Sequence, residues 1–230
     1  MQIIKVKVKE PTRINKFLSE QGVVSRRKAD ELVTSGLVTV NNKPVTLGHK
    51  VKSGDEVSIK KVERPLTYAL YYKPRGEVTG KTDKLPGLDP VGRLDKESEG
   101  LLFYTNDYRV VDAILNPSNK REKEYEVTVR EKATPRVETI LKRGINTREA
   151  TYAPVKSVKI YNEGHDLRII ITEGKKHEIR RMLNALNLTV MSLKRVRIMS
   201  FVYHGLASGK AHILSDKQIV TLMKDCGIKN

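Results

Sequence analysis

Two stretches of this 230-residue chain approach known chemical motifs, and each departs from its motif. GEVTGKT (76–82) has the glycines, lysine and threonine of a phosphate-binding P-loop, but it places three residues between the glycines where the motif needs four. The DKLPGLDP that follows carries two prolines and cannot readily start the required helix, so the segment reads as a flexible loop. HEIRR (177–181) opens like the zinc-protease pattern His-Glu-x-x-His, yet Arg181 stands at the second ligand position and cannot bind zinc. No Gly-x-Ser-x-Gly elbow occurs. The single cysteine, Cys226, excludes a Cys-rich zinc cage and an internal disulfide framework and reads as an ordinary thiol. No metal and no cofactor are expected. What remains is PVGRLDKESEG (90–100), a Gly-Arg-Leu-Asp turn running into the apolar LLFYT. An Asp in a turn is ordinarily solvated or satisfies nearby backbone N–H groups, so Asp95 has chemistry to do only if distant segments bring it partners.

The elements that would position such groups can be read from periodicity. RINKFLSEQGV (13–23) sets Ile14, Phe17 and Leu18 on one helical face, and Gly22 is a natural stop. Ser25 caps SRRKADELVTSG, whose Ala29, Leu32 and Val33 recur at helical spacing. LVTVNNKPVTL then alternates around an Asn41-Asn42 hairpin turn, and KSGDEVSI offers another turn and strand. KKVERPL (60–66) mixes charge with Pro65 and has no apolar period, as expected of a linker spanning 61–66 between domains at 1–60 and 67–230. Beyond it, TYALYY (67–72), LLFYT (101–105), YEVTV (125–129), TYAPVKSVKIY (151–161) and LRIIIT (167–172) read as strands. Helical patterns fall at 107–115, 134–142, 177–186 and 215–224, and Lys194, Arg195 and Arg197 lie on a basic strand. Strands with irregular connections and scattered helices predict an α+β domain with a mixed, largely antiparallel sheet.

Charge names the partner class. Lys and Arg number 44 against 27 Asp and Glu, a formal charge of +17 that favours a polyanion. The excess is present on both sides of the linker, so it is not one basic tail. No apolar run reaches the roughly 18–20 residues of a membrane span, and MQIIKVKVKE alternates where a signal peptide would be continuously apolar. A cytoplasmic monomer is the expectation.

The segment from Arg13 to Val57 resembles the S-four-type (αL) RNA-binding domain. That resemblance makes Arg13, Lys16, Arg26, Arg27 and Lys28 the expected phosphate contacts, with a solvated helix face as the alternative for each. YALYYKPRG (68–76), PVGRLDKESEGLLFYTND (90–107), KEYEV (123–127) and EGKKHEIRRML (173–183), in that order, resemble the RsuA-type family of bacterial ribosomal-RNA pseudouridine synthases. The family reaction breaks the bond joining uracil to ribose, turns the base, and rejoins it through carbon, consuming nothing.

The resemblance implies roles. Asp95 becomes the carboxylate beside the sugar, attacking the ring or stabilising its electron-deficient form; adduct and elimination routes both stay open. Arg180, in preference to its neighbour Arg181, becomes the cation that keeps Asp95 ionised through a direct pair. Tyr125 becomes the ring that stacks on uracil and helps remove the carbon-bound hydrogen. Arg93 is expected to fill the space left by the flipped uridine, and Lys73 to shape the pocket rim or bind phosphate. Lys194, Arg195 and Arg197 read equally as an RNA track or a solvated strand. Glu178 departs from the family's usual Gln, implying an altered RNA contact or a salt bridge to a neighbouring arginine. The expected partner is ribosomal RNA or an assembly intermediate. The small subunit is the favoured target, with the large subunit or a non-catalytic assembly factor as alternatives.

Overall fold

The computed structural model describes residues 2–60, 65–147, 150–202 and 205–228, so most of the expected linker lies outside the described residues. The chain divides into two compact units, residues 1–67 with 105–112, and residues 68–104 with 113–230.

The first unit holds β1 (Gln2–Lys5), β2 (Thr12–Arg13), α1 (Ile14–Glu20), α2 (Arg26–Thr34), β3 (Val38–Val40), β4 (Lys43–Pro44), β5 (Lys50–Val51) and β6 (Glu56–Ile59). Its sheet runs β1-β6-β3-β4, with β2 and β5 forming a separate ribbon. The Ser25 hydroxyl accepts from the Lys28 backbone N–H at 3.1 Å and starts α2. Asn41 and Asn42 both take left-handed backbone, φ 49° and 64°, as a tight hairpin turn requires. The apolar faces of both helices pack with Val38, Val51 and Val57, which leaves Arg13, Lys16, Arg26, Arg27 and Lys28 exposed. Residues 105–112 group with this unit through side chains that grip its end. Thr105 Oγ1 donates to the Thr67 carbonyl at 2.8 Å, and Asn106 accepts from Thr67 N–H and donates to the Pro65 carbonyl.

The rest of the chain supplies β7 (Tyr68–Lys73), β8 (Asp89–Val91), β9 (Glu99–Thr105), α3 (Tyr108–Leu115), β10 (Lys123–Val129), α4 (Pro135–Arg143), β11 (Ile145–Asn146) and β12 (Thr151–Tyr152). It continues with β13 (Ser157–Tyr161), β14 (Asp166–Ile171), α5 (Glu178–Asn184), β15 (Val190–Ile198), β16 (Phe201–Val202), β17 (Ala211–Ile213) and α6 (Asp216–Cys226). The large sheet has the order β13-β14-β10-β15-β9-β7-β17, with β16 beside β15 and β8 beside β9. Pairings of β10, β13, β14 and β15 with one another are antiparallel, whereas β15 meets β9 in parallel at Lys194–Glu99 and Arg195–Gly100. The fold is α+β with a mixed, largely antiparallel sheet.

Alternation along β10 decides which side chains face the core. Lys123, Tyr125, Val127 and Val129 are buried while Glu124, Glu126 and Thr128 point to the other face. The buried face packs with Val137 and Leu141 of α4 and with Ile179, Met182 and Leu183 of α5. The parallel seam needs a glycine: a Cβ on Gly100, at φ +112°, would lie 2.2 Å from the Arg195 carbonyl oxygen. The single strand expected over 151–161 forms as two, because Pro154 has no N–H for a ladder; β12 pairs with β11 and only β13 joins the large sheet.

Candidate active site

Asp95 lies in the loop between β8 and β9, and that loop is held from several sides. Gly92 turns the chain at φ +79°, where a Cβ would meet Leu115 Cδ2 at 2.8 Å. The Thr79 hydroxyl donates to the Leu94 carbonyl at 2.7 Å and accepts from the Leu94 N–H at 3.0 Å. Gly76 N–H donates to the Lys96 carbonyl at 2.7 Å, and Ser98 N–H to the Asp95 carbonyl at 3.0 Å. The 76–82 segment, expected to be a flexible loop, is therefore a brace: Glu77 accepts from the Tyr71 hydroxyl, and the Gly80 carbonyl from the Tyr104 hydroxyl. Thr79 and the Gly76 N–H of this segment hold the Asp95 loop directly.

Lys73 belongs to that brace. It is fully buried and donates to the Pro74 and Glu77 carbonyls at 2.8 and 2.7 Å, while burial pulls its pKa below the usual lysine value. The expected rim or phosphate contact of Lys73 is corrected: its ammonium faces inward.

Two groups from the α5 region approach Asp95. His177 Nε2 stands 3.3 Å from Asp95 Oδ1. Arg180, expected to pair with that carboxylate directly, instead donates to the Glu97 carbonyl at 3.0 Å, the Ser98 hydroxyl at 3.3 Å and the Val190 carbonyl at 3.4 Å. The guanidinium thus reads the loop backbone just past Asp95. Burial lowers its pKa, the Asp95 charge opposes that shift, and Arg180 Nε is buried with no partner among the described residues. Glu97 itself is exposed beside Arg75, at 3.5 Å.

Tyr125 is 7% exposed, and its hydroxyl lies 3.4 Å from Arg195 Nη1. Arg195 is neither track nor solvated: it is 3% exposed, donates from Nε to the Leu101 carbonyl at 2.7 Å, and keeps Nη2 buried and unpartnered. Lys123, on the same face of β10, has its pKa pulled down to about 8, first by burial and then by the Arg195 charge, against the pull of Glu178. Glu178 is buried, and the arginine bridge expected of it does not form among the described residues. Its carboxylate accepts from the Lys175 N–H at 2.8 Å and closes the turn that leads into α5.

The proposed RNA contacts separate into two groups. Arg93 is exposed and makes no hydrogen bond or ion pair among the described residues; Arg13, Arg26 and Arg27 are exposed on the first unit. Lys16 and Lys28 are exposed but share surface ion pairs with Glu20 and Glu31. Lys194 lies over the Tyr72 ring at 5.7 Å. Arg197 is corrected, because each of its three guanidinium nitrogens is engaged: Nε with Glu124 at 2.6 Å, Nη2 with Glu122 at 3.1 Å and Nη1 with the Met199 carbonyl at 2.7 Å. A groove of about 520 Å³ lined by Glu124, Arg168, Lys194 and Arg197 lies on the sheet face away from Tyr125, and ion pairs match most of its charge.

Sequence reasoning gave no role to His177 or Thr79 and placed Arg195 on the surface. His177 stood only inside a failed zinc pattern and a motif segment, and Arg195 and Thr79 take part through contacts that local spacing does not encode.

The family model described as RNA pseudouridylate synthase matches residues 38–185, and that of the S4 domain matches residues 12–57. The chain is 34% identical to the dual-specificity RNA pseudouridine synthase RluF of Escherichia coli (strain K12), covering 92% of this chain and 78% of that protein. It is 34% identical to the ribosomal large subunit pseudouridine synthase B of Bacillus subtilis (strain 168), covering 91% of this chain and 95% of that one. A solved pseudouridylate synthase shares the fold, with a TM-score of 0.69 at 24% identity over 91% of this chain and 99% of the other. With an S4 domain, matches over most of its length and the loop, tyrosine and arginine segments on one framework, the chain belongs to the RNA pseudouridylate synthase family, in its RsuA-type branch.

Proposed function

We propose that the protein isomerises a uridine of large-subunit ribosomal RNA to pseudouridine, with Asp95 as the nucleophile. The observation that supports this reading is one shared core: Leu94, which precedes Asp95, Ile179, which precedes Arg180, and Tyr125 belong to a single buried cluster, and Arg180 donates to the Glu97 carbonyl of the Asp95 loop. The earlier preference for the small subunit gives way, because the Bacillus subtilis relative is named for the large subunit.

In this reading the carboxylate of Asp95 acts at the ribose C1′ as the bond to N1 breaks. Arg180 contributes fixed positive charge beside the loop. The uracil turns against the Tyr125 ring, C5 bonds to C1′, the C5 proton leaves with help from the Tyr125 hydroxyl, and N1 gains a proton. Atoms balance with nothing consumed. Arg93 is the exposed cation free to occupy the place of the flipped nucleotide. Exposed Arg13, Arg26 and Arg27 hold RNA phosphates, and the chain works as a monomer on ribosomal RNA or an assembly intermediate.

The test is tritium release from ribosomal RNA carrying 5-tritiated uridine, without added metal. Wild type should release tritium, while Asp95→Asn should lose release by at least about 10³-fold with RNA binding retained. Normal turnover by the Asn variant would remove Asp95 from its role. Absence of release by wild type on every ribosomal fragment would favour an assembly factor. Mapping pseudouridines in ribosomal RNA from cells lacking the protein identifies subunit and position.

A further inference from the structure

We propose that His177 is a positioning residue for Asp95, its imidazole holding the carboxylate in the orientation that faces the ribose. This rests on the reading of Asp95 as nucleophile. Three observations converge. The imidazole Nε2 is 3.3 Å from Asp95 Oδ1, closer to this carboxylate than any arginine donor of the site. His177 holds left-handed backbone, φ 56° and ψ 26°, a conformation that is uncommon for residues other than glycine and that turns the chain just ahead of α5. The neighbouring side chain fixes that conformation: buried Glu178 accepts from Lys175 N–H across the turn, and Glu178 N–H donates to the Lys175 carbonyl at 3.2 Å.

The arrangement divides the work on Asp95. Arg180, tied to the Glu97 carbonyl and the Ser98 hydroxyl, supplies charge and pins the backbone of the loop. It leaves the carboxylate itself free to rotate. The His177 imidazole, with Nε2 at 3.3 Å from Oδ1, supplies the contact that limits this rotation and leaves Oδ2 available for the sugar. The buried Glu178 is then part of the same device, since it sets the turn that aims the ring.

His177→Gly keeps the left-handed turn and removes the imidazole. Single-turnover release of tritium should fall about tenfold, RNA affinity should stay within twofold, and added imidazole should restore part of the rate. Asp95→Asn, assayed alongside, should be inactive with or without imidazole. A Gly variant within twofold of the wild-type rate would overturn the proposal, as would a loss confined to RNA affinity or a loss that imidazole leaves unchanged. Activity in Asp95→Asn would overturn the underlying reading instead. A thermal melt and His177→Asn, which tolerates the same backbone, separate a folding defect from loss of the ring.

Discussion

Lys123 shows what a buried charge costs on the strand that carries Tyr125. The residue is 8% exposed, and among the described residues its ammonium makes two long contacts at 3.4 Å, to the Arg121 and Glu173 carbonyls. Burial and Arg195 bring its pKa from 10.5 down to about 8. Below pH 8 the ammonium stays charged in both folded and unfolded chains, and the folded one bears the full penalty. Between pH 8 and 10.5 the folded chain has released a proton that the unfolded chain still binds, so stability from this group rises with pH. Lys123→Met should therefore be the more stable protein at pH 7, by up to roughly 3 kcal/mol. That advantage should shrink as pH rises through 8 towards 10.5, which urea melts of both proteins across that range would show. None of this was legible in KEYEV, where Lys123 reads as an ordinary surface lysine; its burial follows from the pairing of β10 with β14 and β15.

Elements with local signals matched expectation. Ser25 and Asn41-Asn42 each act within a few residues, and each shapes its helix or turn as anticipated. The 151–161 run misled because alternation continues through Pro154 while hydrogen bonding does not. The seam of the sheet was not legible at all. Gly100 reads as part of Ser-Glu-Gly-Leu-Leu, and only the return of β15 shows that its missing side chain lets two backbones meet. Gly100→Ala should cost about 2–3 kcal/mol or more, from a contact with backbone that cannot yield and a φ of +112°. Arg195 carries its register partner's displacement to Tyr125, so tritium release should fall as well; denaturant melts and the release assay together check this.

At the scale of the molecule, the formal charge of +17 named a polyanion as partner, and the motif resemblances narrowed that to RNA. The same charge could not say which cations reach RNA. Arg26 and Arg27 remain exposed, whereas Lys73, Arg195 and Arg197 are committed inside the fold. Replacing Arg26 and Arg27 together by Ala should weaken RNA binding and reduce the salt slope of log K by about 1–2. At saturating RNA the single-turnover rate should remain that of wild type, because neither residue belongs to the Asp95 site; filter binding across a salt series and the release assay separate the two effects.

The inward-facing amines of Lys73 and Lys123 also make the fold its own timer. An amine-acylating reagent should tag exposed Lys16 and Lys28 at once, yet reach Lys73 only when the turn capped by the Pro74 and Glu77 carbonyls opens. Tagging of that one lysine, followed by mass spectrometry, would clock the breathing of the turn that braces the Asp95 loop.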